Sequence, residues 1–142
     1  MINQKHWHTT SEYAHIAKRH CAVTQVMNLY EIIPNEAINF SLAHKYIKNG
    51  PVLFLKRKLK KSPFNLNVAE IKNIKDVHQA INQNEIVVLL QRRSLFNWHW
   101  VIALGIKDED TLLIVDGWHK KIQPFNIKDK IKICYPFSFK VY

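Results

Sequence analysis

The chain is poor in cysteine and has no long apolar run, and both absences limit what it can be. Its 142 residues include two cysteines, Cys21 and Cys134. Two are too few for a disulfide framework, and a chain of this length does not need one. No apolar stretch approaches the roughly 20 residues that span a bilayer, and the first residues lack the apolar core of a signal peptide. We therefore expect a cytoplasmic protein with no membrane span and with reduced cysteines.

Acidic residues are also scarce. The sequence has 11 Asp and Glu against 21 Lys and Arg, which gives a formal net charge of +10 at pH 7. This balance favours acidic partners electrostatically but does not define a fold. Abundant lysine, isoleucine and asparagine also suit an AT-rich coding sequence, and this compositional bias is the explanation that we favour. Nucleic acid is not the expected partner, because no known nucleic-acid-binding motif is present.

The sequence predicts a single α+β domain over residues 1–142. With 47% hydrophobic residues, a chain of this length can bury a sizeable core. There is no internal repeat, low-complexity tract or evident domain linker. Helical patterns come first and apolar strand-like runs follow, which is the order expected of N-terminal helices packed on a C-terminal antiparallel sheet.

The first half contains three helical patterns and a basic patch. Residues 22–33 place apolar side chains three and four apart, and Pro34 ends that pattern. Asn35 is the predicted cap of a second helix over 36–48, and Pro51 the predicted start of a third. The third helix carries the densest basic patch, which could meet an acidic protein partner or form a solvated face. The basic patch consists of Lys56, Arg57, Lys58, Lys60 and Lys61.

The second half reads mainly as strands. A short strand at 67–71 and a short helix at 75–82 precede a buried strand at 86–90. Residues 98–106 and 112–115 predict two strands joined by a polar turn of hairpin length. His99 lies near the start of the first of these strands and Asp116 directly after the second. An antiparallel hairpin therefore places both side chains at the same end of the ladder. Residues 122–125 and 131–135 are candidate closing strands.

Three residues of this layout are the parts of an activated thiol. Cys21 directly precedes the first helical pattern, where unpaired backbone N–H groups and the helix dipole favour a thiolate and lower the cysteine pKa. Cys21, His99 and Asp116 supply a nucleophile, a base and an orienting group. Each also has a structural alternative. Cys21 would then be a small buried hydrophobe, His99 a core histidine and Asp116 part of a plain turn.

The neighbouring tryptophans and the other histidines are assigned different roles. Trp98 and Trp100 alternate with His99, so they face the opposite side of the strand and are expected in the core. His6 and His8 lie two apart, with no second Cys/His pair at the spacing of a structural zinc site. We therefore expect no metal and no cofactor. The remaining histidines of the central and C-terminal regions are expected at the surface: His44, His78 and His119.

The pattern resembles the papain-like cysteine peptidase fold in its small bacterial form. The closest likeness is to the family of peptidases that remove double-glycine leaders from bacteriocin precursors. In that family the nucleophilic cysteine begins the first long helix, a strand of the type His-Trp-Val-x-x-x-Gly carries the histidine, and an aspartate closes the next strand. The matching positions here are Cys21, His99-Trp100-Val101 with Gly105, and Asp116. The likeness covers most of residues 13–118.

A second motif belongs to the same resemblance. Asp116-Gly117-Trp118 is similar to the papain-type Asn/Asp-x-Trp. In that motif the indole shields the hydrogen bond between the histidine and the carboxylate from water. The resemblance therefore implies that Trp118 supports the site.

The chain departs from the family at two positions near the cysteine. The family usually has a glutamine five or six residues before the cysteine, where it helps form the oxyanion hole, but residues 15–20 contain none. His15 is the candidate to donate the missing hydrogen bond. Ala22 stands where the family often has glycine. Since losing one oxyanion donor typically costs about 10²–10³ in rate, these departures leave room for an altered or inactive enzyme.

The resemblance implies thiol acyl transfer on a peptide or protein substrate. Cys21 would attack an amide or thioester carbonyl, His99 would move the proton, and Asp116 would hold the imidazole. The expected activity is that of a cysteine peptidase or amidase. An acyltransferase or protein deamidase would use the same triad, and an inactive papain-like shell would serve as a binding protein. The sequence does not identify the substrate.

Overall fold

The computed structural model describes residues 7–13, 21–47, 52–94, 97–129 and 131–142. These residues form four α-helices and seven β-strands, preceded by a short 3-10 helix at Thr10–Tyr13. None of the helices in the described ranges has the length and apolar character needed to cross a bilayer. The helices are α1 (Cys21–Ile32), α2 (Phe40–Ile47), α3 (Leu55–Lys61) and α4 (Ile74–Asn82). The strands are β1 (Val68–Glu70), β2 (Ile86–Ser94), β3 (Asn97–Asp108), β4 (Thr111–Val115), β5 (Gln123–Asn126), β6 (Lys132–Ile133) and β7 (Phe139–Val141).

The strands form one sheet, in which every described pairing is antiparallel. Their order is β1-β7-β2-β3-β4-β5, and β6 pairs with the far end of β2. β2 and β3 lie at the centre, in a register that places Leu90 opposite Trp100 and Gln91 opposite His99. The predicted α+β class with an antiparallel sheet is therefore confirmed.

Helices cover both faces of the sheet, which explains why β2 and β3 are apolar almost throughout. Successive side chains of a strand point to opposite faces. On one face Leu90 and Trp100 pack with α1, α2 and α3, and on the other Leu89 and Val101 pack with α4. Each such side chain, when fully buried, stabilises the fold by about 1.5–3 kcal/mol relative to an exposed one. Trp98 and Trp100 belong to the α1 face, as predicted.

The second helix starts later than the sequence predicts. Asn35 does not cap it, because the Asn35 side-chain oxygen accepts a hydrogen bond from the Ala37 N–H at 2.9 Å and closes a local turn. The helix begins at Phe40, where the side-chain oxygen of Asn39 accepts from the Leu42 N–H at 3.0 Å. That bond is the usual cap of a helix start. The predicted start of the third helix, Pro51, lies outside the described residues.

Candidate functional site

β3 extends beyond β4, and the start of α1 lies beside the part of β3 that β4 leaves uncovered. β4 pairs with β3 from Ile102 onward, so none of the described strands pairs with residues 97–101 on that side. Gln25, one turn into α1, bridges this gap. Its Nε2 donates to the carbonyl oxygens of Trp100 and Val115, both at 3.0 Å. The helix is thereby fixed to two strands at the point where one of them ends.

Gln25 belongs to a buried polar network that the sequence argument missed. Its Oε1 accepts from Asn28 Nδ2 at 2.9 Å. Asn28 in turn donates to the His8 carbonyl oxygen at 3.1 Å and accepts from the His8 N–H at 2.7 Å. Both amides are fully buried, so their hydrogen bonds replace those that water would make. Two side-chain amides three apart, between the apolar residues of the helix, were the signal that could have identified them.

Cys21 is the first residue of α1 and is half-buried beside β3. Burial raises the pKa of the Cys21 thiol above its ordinary value, while backbone groups of Trp100, Ala22 and Cys21 itself act to lower it. A lowered pKa was expected from the position of Cys21 at the helix start, and the structure reverses that direction. The reason is that desolvation penalises the thiolate more than the backbone groups near the helix start favour it. Cys21 therefore rests as a neutral thiol at pH 7.

His99 lies on β3 and is only 3% exposed. Its Nε2 is hydrogen-bonded to the backbone carbonyl oxygen of Asp116. Since a carbonyl can only accept, Nε2 carries the hydrogen and donates it, and Nδ1 keeps the lone pair. Nδ1 has no hydrogen-bond partner among the described residues. The tautomer therefore leaves Nδ1 as the atom that can accept a proton.

The surroundings of His99 keep its ring neutral. Burial lowers the pKa of His99 to about 4, and the hydrogen bond that the ring donates to the Asp116 carbonyl opposes this. The charge of Arg93 lowers the pKa further and that of Asp116 raises it. Cys21 and His99 are thus a neutral thiol and a neutral imidazole at one end of β3. Within the described residues no hydrogen bond joins them. Cys21 lies beside the backbone of Trp100, and His99 is the residue that precedes Trp100 on β3.

The carboxylate of Asp116 is bonded to the loop that follows it. Its Oδ1 accepts from the backbone N–H groups of Trp118 and His119, both at 2.9 Å. Its Oδ2 accepts from Nδ1 of the exposed His119 at 2.6 Å. This carboxylate was predicted to hold His99, but the main-chain carbonyl of the same residue bonds the imidazole instead. The reason is local, because an aspartate at the start of a turn bonds the N–H groups two and three residues on.

Trp118 covers the imidazole. Its ring stacks on that of His99 with centroids 3.8 Å apart and an angle of 12° between the planes. Gly117 makes the approach possible, because its φ of +76° suits glycine and a Cβ there would lie 3.3 Å from Gln25 Nε2 and 3.8 Å from His99 Cε1. Trp118 itself is 42% exposed. Trp118 thus contacts His99 as predicted. The hydrogen bond that it lies beside joins His99 to the Asp116 carbonyl and not to the Asp116 carboxylate.

The low pKa of His99 predicts that the protein loses stability in mild acid. The folded state has a pKa of about 4 at this ring, whereas an unfolded histidine titrates near 6.5. As the pH falls, the unfolded state therefore takes up a proton first. The difference corresponds to about 3 kcal/mol of unfolding free energy, present above pH 6.5 and lost by pH 4.

Urea unfolding at pH 7 and at pH 4.5 measures this loss. The His99→Asn variant should show a much shallower pH dependence than the wild type. An unchanged slope in His99→Asn would contradict the prediction.

Two other predictions concern the oxyanion donor His15 and a metal site. His15 lies outside the described residues, so its hydrogen bond to an oxyanion stays a prediction. Among the described residues, no group of three His, Cys, Asp or Glu side chains could hold a metal ion.

The basic patch is partly engaged within the fold. Lys56 Nζ lies 3.3 Å from the Glu70 carboxylate, and Lys58 Nζ donates to the Ile47 carbonyl oxygen at 3.1 Å. Arg57 lies over the ring of Phe54, with its guanidinium carbon 5.8 Å from the ring centroid. Three of the five basic side chains thus already have contacts within the fold. Binding of an acidic partner by the basic patch stays a prediction.

The sequence matches no protein-family model, and no characterised protein or solved structure shows significant similarity to it. What the described residues define is an antiparallel α+β domain with a half-buried thiol and a neutral imidazole at one end of its central strands.

Proposed function

We propose that this chain is a papain-like cysteine peptidase or amidase that acts on a peptide or protein substrate through Cys21 and His99. The observation that carries the proposal is the state of His99. Its Nε2 is held by the Asp116 carbonyl and its Nδ1 keeps a lone pair. His99 directly precedes Trp100, whose backbone contacts Cys21, the first residue of α1. A nucleophile and an oriented base at one end of a strand are the minimum that thiol acyl transfer requires.

The reaction begins with the neutral pair. The Cys21 sulfur attacks the carbonyl carbon while its proton passes to His99 Nδ1, and the developing oxyanion meets the N–H groups at the start of α1. The carbon–nitrogen bond breaks, His99 protonates the leaving amine, and an acyl group stays on the sulfur as a thioester. Water then gives its proton to His99 and attacks the thioester, which releases the acid and restores the thiol. Catalytic hydrogen bonds are often long before substrate binds, so the absence of one between Cys21 and His99 is compatible with this sequence.

One group of observations favours a second candidate, a papain-like binding protein without activity. The Cys21 pKa is raised by burial, no hydrogen bond links the thiol to His99 in the described residues, and the Asp116 carboxylate is engaged by His119. An acyltransferase or a protein deamidase would use the same two residues as the hydrolase. An acyltransferase differs from a peptidase in the acceptor, which is an amine in place of water. A deamidase differs in the amide that it attacks, which is a glutamine side chain.

The test is acylation of Cys21 by 4-nitrophenyl acetate, a simple activated acyl donor. Cys134 is a matched internal control, because it is also free and half-buried and its pKa is also raised by burial. We expect mass spectrometry to find the acetyl group on Cys21 and only traces on Cys134, with continued release of nitrophenolate as the acyl-enzyme turns over. Equal acylation of both thiols, or none, would favour the binding protein. Added primary amine then separates the two enzymatic alternatives, since an acyltransferase forms an amide and a hydrolase forms acetate.

A further inference from the structure

Arg93 lies beside the candidate site, and no acidic side chain of the described residues pairs with it. It stands at the exposed end of β2, with its guanidinium carbon 4.4 Å from the centroid of the Trp118 ring. Trp118 in turn stacks on His99. A guanidinium, an indole and an imidazole thus form one continuous stack, which we call the Arg93 stack (Arg93, Trp118 and His99). None of the ion pairs found among the described residues involves Arg93.

The Asp116 carboxylate, which precedes Trp118 in the same loop, does not pair with Arg93. Both carboxylate oxygens of Asp116 accept hydrogen bonds from Trp118 and His119. The Arg93 charge is close enough to His99 to act on its ring. Arg93 is exposed, so its guanidinium can be reached by a ligand next to the base.

The geometry of the Arg93 stack suits ligand binding. A guanidinium that rests on an indole is attracted to the ring and held in a restricted set of positions. Its N–H donors form a rigid planar fork, and a carboxylate is the group that matches this fork with two parallel hydrogen bonds. Because the side chain is already ordered by the stack, binding loses less conformational freedom than at a free surface arginine.

We propose that Arg93 binds a carboxylate of the substrate, so that the site selects acidic peptide segments. This inference rests on the proposed function and specifies its substrate class. The net charge of +10 supports it, since a basic protein attracts acidic chains at long range. A peptide is favoured over a nucleic acid because the Trp118 indole already contacts an imidazole and a guanidinium, which leaves it poorly placed to stack a nucleobase.

The experiment uses pairs of peptide vinyl sulfones that label Cys21 covalently. Each pair carries Glu or Gln at one of four positions before the reactive group, and the second-order labelling rate is measured for each member. We expect one position at which Glu labels about tenfold faster than Gln, the order expected of one charge-assisted hydrogen-bonded pair. In Arg93→Gln the two members should label at equal rates.

Arg92→Gln is the matched control. Arg92 is the neighbouring residue on β2 and lies over the ring of Trp98 at 5.4 Å, but it pairs with Trp98 on the other face of the sheet. This variant should keep the preference for Glu. Labelling of Cys21 with no preference at any position, or a preference that survives in Arg93→Gln, would overturn the inference and leave the proposed function standing.

If no probe labels Cys21 and the proposed function fails, a binding measurement tests whether Arg93 binds a carboxylate. In Cys21→Ser, the NMR signal of the His99 ring hydrogen on Cε1 is followed while the same peptides, without the reactive group, are added. A shift caused by the Glu peptide and not by the Gln peptide, and lost when Arg93→Gln is added, supports carboxylate binding at Arg93. The absence of such a difference overturns it. An equal shift with an oligothymidylate would overturn the peptide assignment.

Discussion

Acylation of Cys21 should be about 10²–10⁴ times slower in the His99→Ala variant than in the wild type, because the proposed mechanism then lacks the base that accepts the thiol proton. With a neutral thiol whose pKa is raised by burial, almost no thiolate is present at pH 7. Attack therefore depends on proton transfer to His99 Nδ1 in the same step. The release of nitrophenolate from 4-nitrophenyl acetate measures the rate, and circular dichroism confirms that the variant is folded.

Asp116→Asn is the matched comparison for this prediction, and it should stay within about tenfold of the wild type. The Asp116 backbone carbonyl that holds Nε2 is unchanged by the substitution. The side-chain oxygen of asparagine can also accept the N–H groups of Trp118 and His119 that the carboxylate now accepts. A loss in Asp116→Asn as large as that in His99→Ala would show that the carboxylate orients the imidazole during the reaction.

Replacing Gln25 with leucine should destabilise the protein more than any other single exchange of a polar residue on α1. The carbonyl oxygens of Trp100 and Val115 would both lose their donor, and Asn28 would lose an acceptor. Leaving a buried polar group without a partner costs about 1–3 kcal/mol. Two or three such groups therefore cost a large part of the 5–15 kcal/mol by which a domain is typically stable.

The midpoint and slope of urea unfolding measure the effect of Gln25→Leu. Gln79→Leu is the matched control, because Gln79 is an exposed glutamine in the middle of α4. It should change the unfolding free energy by less than about 0.5 kcal/mol. Equal stability of the two leucine variants would mean that water or a rearranged side chain satisfies the two carbonyls.

The elements that the sequence predicted are those whose pattern is local. α1 follows from its apolar spacing, and β3 and β4 follow from two apolar runs around a polar turn. All three were predicted within two residues of their bounds. β7 was not predicted. It is three residues long and is defined by pairing with β1 and β2, which lie far away in the sequence. A short strand of this kind is specified by its neighbours more than by its own composition.

The end of β2 also depends on pairing with distant strands, so the sequence predicted it too early. The sequence ended this strand at Leu90 because Gln91, Arg92 and Arg93 are polar. The strand continues to Ser94, because β3 and β6 pair with Gln91 and Arg92 from either side. Arg93, the proposed carboxylate-binding residue, was therefore assigned to a connecting segment and not to the site.

The site was predicted in part for a related reason. Residue types and order led to Cys21 and His99, and the structure places both at one end of β3. The group that holds His99 could not be predicted, because every residue has a carbonyl oxygen and only the path of the chain after β4 decides which one meets the ring. The direction of the Cys21 pKa depends on burial, which the tertiary packing sets.

The uncovered part of β3 has a consequence for the solubility of the protein. A strand edge with free backbone groups can pair with another chain and start aggregation. Here the Gln25 side chain occupies the Trp100 carbonyl and Cys21 lies beside the Trp100 backbone, so α1 closes this edge in place of a strand. The same helix start thus presents the thiol and blocks intermolecular strand addition. Detachment of α1 would expose the Cys21 thiol and the free edge of β3 together, so the molecules that lose the packing around Cys21 should also be those that self-associate.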